Sequence, residues 1–217
     1  MARNPFPGII TSIEEQPKVR RHLGQRVNVF VQGKFSFALD AELVERRGLR
    51  AGFLVTPNVL EELLHEDGDA RAYARALHYL SYGPRSAAQV QQRLARDEWP
   101  PEVVARAVQR LTGEGLLNDA EFAARYVENR SLSRQRGARA LRQELRIKGV
   151  ARDEIEAALP DAEQEIDNAV AAVQSKLRLW SGLEERERQN KIIQFLQRRG
   201  FNYGTARAAL NRLAEPS

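Results

Sequence analysis

The chain has 217 residues, 42% of them apolar and 29% charged, enough for several small cores under a well-solvated surface, while an aromatic content of 7% argues against a large β-sandwich or barrel. It contains no cysteine, which excludes disulfides, thiolate metal sites and a cysteine nucleophile. A formal charge of +5, carried far more by arginine than by lysine, suits acidic partners, nucleic acid among them, without requiring one.

Residues 8–55 read mostly as strand. Val27, Val29 and Val31 share one face by period two, Gln32-Gly33 is a turn signal, and Phe35, Phe37 and Leu39 resume the alternation. A β-hairpin follows, with Gly8–Glu14 as a third strand. Asp40 caps a short helix over Ala41–Arg47 that Gly48 ends. Thr56-Pro57 opens another helix, with Thr as N-cap and Pro at its first position. That helix is expected to stop near His65, and the acidic Glu66-Asp67-Gly68-Asp69 stretch reads as a linker.

From Ala70 onward the pattern is helical. Apolar stripes run through Tyr73, Leu77 and Leu80, then Val90 and Leu94, then Val104, Val108 and Leu111 after Pro100-Pro101. Phe122 and Tyr126, Leu141 and Leu145, and Ile155 and Leu159 form the next three. Ile166, Val170, Val173, Leu177 and Trp180 make one long stripe, followed by Ile192 and Leu196, then Leu210 and Leu213. Nine helices are expected. Asp119 and Glu121 read as residues that cap the start of the helix through Phe122.

A shift of 51 residues, applied twice, superimposes these stripes. Val90, Leu141 and Ile192 coincide, as do Leu94, Leu145 and Leu196, then Trp99, Val150 and Phe201. Seven such apolar columns fall within 22 positions, where about one or two would arise by chance. Gly149 and Gly200 keep the same offset, just past a helix, where a left-handed cap favours glycine. The expected fold is mainly α: a tandem repeat of three three-helix modules, elongated and curved, preceded by a small α+β segment that contains the β-hairpin. The boundaries read as 1–69 for the N-terminal segment and 70–117, 118–160 and 161–217 for the modules.

Positive charge concentrates in the second module. Residues 125–148 hold Arg125, Arg130, Arg134, Arg136, Arg139, Arg142, Arg146 and Lys148 against only Glu128 and Glu144, and the rest of the repeat region balances. At about 100° per residue, Arg139, Arg142 and Arg146 lie within about 60° of arc, opposite Leu141 and Leu145. The preceding loop adds Arg134 and Arg136, and Arg130 and Lys148 flank the stripe. A phosphate backbone and an acidic protein surface both suit it. Aromatics for stacking on bases are not interleaved with it.

Nothing proposes an enzyme. Walker, dinucleotide and zinc-protease motifs are absent. His22, His65 and His78 lack metal-ligand spacing, so neither catalytic residue, metal nor cofactor is expected. Trp99 and Trp180 read as core. No signal core precedes Gly8 and no stretch approaches about 18 uncharged apolar residues, so a cytoplasmic location without membrane contact is expected.

Several ordered segments carry a resemblance. They are Ala76-Leu77-His78-Tyr79-Leu80-Ser81, Arg85-Ser86 and Val90–Leu94; then Gly115-Leu116-Leu117-Asn118-Asp119, Phe122-Ala123 and Tyr126-Val127; then Gly137–Leu141, Glu144-Leu145 and Lys148-Gly149-Val150. Over about 70–160 the chain resembles the RecX family, bacterial regulators of the RecA recombinase; the third module matches more loosely, and its Asn202-Tyr203-Gly204 leaves the start of the last helix open. The resemblance implies modules that bind the RecA–DNA filament and suppress its ATP hydrolysis and strand exchange. The arginines above would then face acidic protein or DNA phosphates, with direct contact to single- or double-stranded DNA left open and a monomer as the simplest state. A helix-turn-helix-like protein that binds nucleic acid on its own is the alternative, and an adaptor for another acidic protein a further one.

Overall fold

The computed structural model describes residues 4–17 and 25–214, with the side chains of Leu132 and Arg134 excepted. His22 lies outside the described residues. The chain forms two compact units, Met1–Pro84 with Val90–Leu116, and Arg85–Gln89 with Leu117–Ser217.

The first unit begins with a four-stranded antiparallel sheet. Its strands are β1 (Gly8–Glu15), β2 (Arg26–Val31), β3 (Lys34–Asp40) and β4 (Leu54–Val55), in the order β3-β2-β1-β4. Gln32 and Gly33 both take positive φ, the geometry of a tight two-residue hairpin turn. The valines of β2 face the core with exposures of 6% or less. In β3 the alternation breaks. Val29 pairs with Phe37 but Phe30 with Phe35, so Ser36 is an extra, bulged residue. Ser36 is buried instead of Phe35, its hydroxyl accepting from the Phe6 N–H and donating to the Phe6 carbonyl, both at 2.8 Å. Phe35 thereby leaves the core and packs edge-on against Phe30. β4 has two residues, too short for any periodic signal.

Helix α1 (Ala41–Arg46) is capped by the Asp40 carboxylate, and α2 (Pro57–Leu80) by the Thr56 hydroxyl, both as expected. The stretch read as a linker is instead the middle of α2, a helix of 24 residues. Its acids are not solvated spacers. Glu66 pairs with Arg47 at 2.5 Å, Asp67 with Arg26 at 2.6 Å and Asp69 with Arg106 at 2.8 Å. Asp67 is 4% exposed and also accepts the Asp40 N–H at 2.8 Å, which ties the helix to the end of the hairpin. Helix α3 (Ala87–Arg96) contributes Val90 and Leu94 to this unit, and α4 (Pro101–Gly113) packs on α2. Trp99 is only half-buried, with the Arg71 guanidinium 5.2 Å from its ring centre, so it is not the core residue expected.

The second unit holds α5 (Asp119–Arg134), α6 (Ala138–Ile147), α7 (Arg152–Ala158), α8 (Ala162–Gln174), α9 (Glu185–Arg198) and α10 (Tyr203–Ala214). In both triplets the first helix packs mainly on the third, α5 on α7 and α8 on α10. One core gathers Phe122, Ala123, Val127, Leu141, Leu145, Val150 and Ile155. The other gathers Ala169, Val173, Ile192, Leu196, Phe201 and Ala206. The stripe from Ile166 to Trp180 is not one helix: α8 ends at Gln174, and Leu177–Trp180 form a separate 3-10 turn. Trp180 packs half-buried, edge-on against Phe195. The start of α10 is settled by the Asn202 carboxamide, which accepts from the Thr205 N–H at 2.8 Å.

Two joints in this unit share one design. At one, the Ala87 N–H donates to the Asp119 carboxylate (2.8 Å) and the Ser86 hydroxyl to the Lys148 carbonyl (2.5 Å). At the other, 51 residues on, the Ala138 N–H donates to the Glu165 carboxylate (2.9 Å) and the Gly137 N–H to the Arg199 carbonyl (3.0 Å). Each time an acid from the following triplet caps the N-terminus of a middle helix. Asp119 therefore does not cap its own helix; Asn118 does, accepting the Glu121 N–H at 3.0 Å. Gly149 and Gly200 do more than permit a left-handed cap. A Cβ at Gly149 would lie 2.3 Å from that of Ala88, and one at Gly200 2.3 Å from that of Ala140. Backbone touches side chain there, and only glycine fits.

Candidate partner interface

Helix α6 is the scaffold of the basic region. Leu141 and Leu145, fully buried, anchor it from behind. Its N-terminus has no side-chain cap of its own, because Gly137 precedes it. Glu165 supplies the cap, and the Thr205 hydroxyl donates to the other oxygen of that carboxylate at 3.1 Å. The Arg139 N–H donates to the Gly200 carbonyl at 3.1 Å. The first turn that carries Arg139 is thus fixed by the α8–α10 triplet.

On the solvent side the seven residues singled out by sequence separate into groups. Arg142 is exposed but committed. Its guanidinium donates two hydrogen bonds to Glu156, at 2.7 and 2.9 Å. That fork holds the Glu156 carboxyl below the ordinary carboxylate range and keeps Arg142 firmly protonated. Arg130 and Arg136 gather around Glu144 instead, at 3.8 and 3.4 Å. The Tyr126 hydroxyl donates to the same carboxylate at 2.7 Å. Burial and that hydrogen bond push the Tyr126 hydroxyl above its usual range. The Arg130 guanidinium and the Lys148 ammonium each lie 5.1 Å from the centre of the Tyr126 ring. Burial, and Arg136 nearby, push the Arg199 guanidinium down. Arg139 and Arg146 are exposed and make no ion pair among the described residues. The side chain of Arg134 lies outside the described residues.

Sequence reasoning placed Arg139, Arg142 and Arg146 on one face correctly but missed what neutralises the region. Glu156 is 14 residues from Arg142, and Tyr126 is 18 from Glu144. No helical spacing rule relates such positions. Ile147, 71% exposed at the end of α6, was also missed, although its place off the Leu141–Leu145 stripe is visible on a helical wheel.

In the first unit a cleft of about 710 Å³ is lined by Leu60, Leu64, Arg71, Trp99, Pro100 and Val103 among others. His65 there sits beside Arg106, and His78 beside the Tyr82 hydroxyl. Among the described residues no three histidine or carboxylate side chains gather to hold a metal, and no helix is long and apolar enough to cross a membrane.

Comparison with known proteins adds four family matches. The model described as the regulatory protein RecX N-terminal domain matches residues 8–56. Those for the first, second and third RecX three-helix domains match 72–111, 118–159 and 163–210. The regulatory protein RecX of Bacillus subtilis (strain 168) is 32% identical over 206 residues, covering 94% of this chain and 76% of that one. The protein of the same name from Levilactobacillus brevis is 32% identical over 207 residues, with the same coverage. A crystal structure of regulatory protein RecX superimposes with a TM-score of 0.73 at 27% identity, over 95% of this chain and all of that one. The RecX structure from Lactobacillus salivarius gives 0.65 at 25% identity, over 69% of this chain.

Proposed function

The chain belongs to the RecX family of regulatory proteins, and from that premise we propose that it is a non-enzymatic regulator that binds the RecA–DNA filament and lowers RecA's ATP hydrolysis and strand exchange. Regulation of recombination, DNA repair and the SOS response in the cytoplasm follows from that activity. The observation that carries the reading is the exposed face of α6, where the Arg139 and Arg146 side chains make no ion pair among the described residues, on a helix fixed at both its core and its N-terminus. Because the helix backbone beneath this cationic face is already fixed, little backbone freedom is lost when it meets an acidic surface. Arg130, Arg136, Arg142 and Lys148 lie around it, held by Glu144, Glu156 and the Tyr126 ring, and Arg134 is assigned to the same proposed contact. The working division into an N-terminal segment (1–69) and modules at 70–117, 118–160 and 161–217 belongs to the same reading, with the second module as the principal contact.

The deciding experiment is DNA-dependent ATP hydrolysis by the cognate RecA, titrated with this protein below one copy per RecA. Loss of hydrolysis well below stoichiometry is the expected result. No effect at excess rejects the reading. Binding to bare DNA over a salt series then tests the alternative of an autonomous nucleic-acid binder, which requires a steep salt slope.

A further inference from the structure

The solvent face of α6 is not uniformly basic. On the helical wheel Ile147, Gln143, Arg139 and Arg146 occupy about 100° of arc, with Arg142 at its far edge. Arg142 is withdrawn from that face by its two hydrogen bonds to Glu156. Arg130 and Arg136 are turned to Glu144, and Lys148 lies against the Tyr126 ring. Among the described side chains of this face, what remains open is a pair of arginines and an isoleucine that is 71% exposed.

A phosphate backbone rewards every free cation and gains nothing from an apolar side chain. The arrangement does the reverse. Internal carboxylates occupy three of the arginines, while a large β-branched apolar side chain is left in water on a helix that gains little from it. An apolar residue next to an amide and a pair of arginines is the composition of a protein–protein contact, where arginine is enriched and a buried anchor carries the affinity.

We infer that Arg139, Gln143, Arg146 and Ile147 form a docking face for an acidic protein surface that offers an apolar hollow to Ile147. The inference rests on the function proposed above and places that surface on the recombinase rather than on its DNA. Ile147 supplies the anchor at one edge of the face, Arg139 and Arg146 pair with carboxylates toward the other edge, and Glu144 and Glu156 keep the neighbouring arginines from spreading the contact onto phosphate.

The test compares the full chain with I147S, R139A/R146A and R142A. Each is measured for binding to the cognate RecA filament, for binding to bare single-stranded DNA over a salt series, and for thermal unfolding. I147S should weaken filament binding about ten-fold while leaving bare-DNA affinity and melting unchanged. R139A/R146A should weaken filament binding at least as much, and R142A less than about two-fold. Unchanged filament binding by I147S, with R139A/R146A weakening filament and bare DNA in parallel and lowering the salt slope by about two, assigns the face to phosphate and overturns the inference. Failure of the unaltered protein to engage the filament is seen before any variant is made and overturns the functional reading itself.

Discussion

Asp67 illustrates how much one side chain can carry. It is 4% exposed, accepts from Arg26 and from the Asp40 N–H, and joins the middle of α2 to the end of the hairpin. Replacing it with alanine strands a half-buried arginine and an N–H, so D67A should cost about 3 kcal/mol in a urea titration. A cost under about 1 kcal/mol would show that water replaces the carboxylate. Glycines divide just as sharply by what stands over them. Gly48 has positive φ but open space, so G48A should cost about 1 kcal/mol. Gly200 has positive φ and the backbone of Ala140 within 2.6 Å of any Cβ, so G200A should cost about 3 kcal/mol or more. Equal costs for the two would refute the close-contact explanation. Glu156 permits a pH test. Its pKa is depressed in the folded chain by Arg142, so the pair contributes fully above the unfolded-state value and is lost only as pH falls through the lower folded value. Carboxyl-detected NMR should find Glu156 titrating below an ordinary glutamate, and titration at or above that range would break the pairing.

At the scale of elements, α6 depends on a cap that it does not own. Glu165 is 8% exposed and serves both the Ala138 N–H and the Thr205 hydroxyl. E165A should cost about 2 kcal/mol by thermal unfolding, and E165Q less than half of that, since the amide keeps an acceptor for Ala138. Similar losses for both variants would mean that charge, rather than the hydrogen bond, is what the N-terminus needs. Helix α2 teaches a related lesson. A run of three acids around a glycine resembles a spacer, yet each acid meets an arginine from a different element, Arg47 after α1, Arg26 on β2 and Arg106 on α4. The ion pairs hold the helix through the place where composition suggested a break.

At the scale of the molecule, the repeat is bounded by its own chemistry. Positions 98, 149 and 200 are equivalent and all take positive φ, but the first is glutamate. The joint needs glycine because the preceding middle helix touches its backbone, so Glu98 cannot make the contact that Gly149 and Gly200 make. Helix α9 begins at Glu185, four residues before the position equivalent to the start of α6 at Ala138, and its added turn holds Glu185, Arg186, Glu187 and Arg188. Both features disfavour adding a further module of the same design to the series. The division into two compact units predicts that unfolding is not a single two-state event. Calorimetry should resolve two transitions, with D67A lowering one and G200A the other. A single transition lowered equally by both would show that the units unfold together.

The repeat, the mainly helical class, the hairpin and the arginine face of α6 were all legible in the sequence, because each rests on local periodicity: two for strands, 3.6 for helices, 51 for modules. A chain determines such regularities residue by residue, whatever its distant parts do. The bulge at Ser36, the continuity of α2, the break between α8 and the 3-10 turn, and the acids that cap neighbouring helices were decided elsewhere. The bulge, the continuity of α2 and those caps rest on partners between 19 and 41 residues away, as Glu66 is from Arg47 and Asp67 from Arg26. The candidate site divides along the same line. Periodicity placed three arginines on one face, but only the folded chain, by bringing Glu144 and Glu156 to some of those cations and not to others, decided that Arg139 and Arg146 stay open beside Ile147.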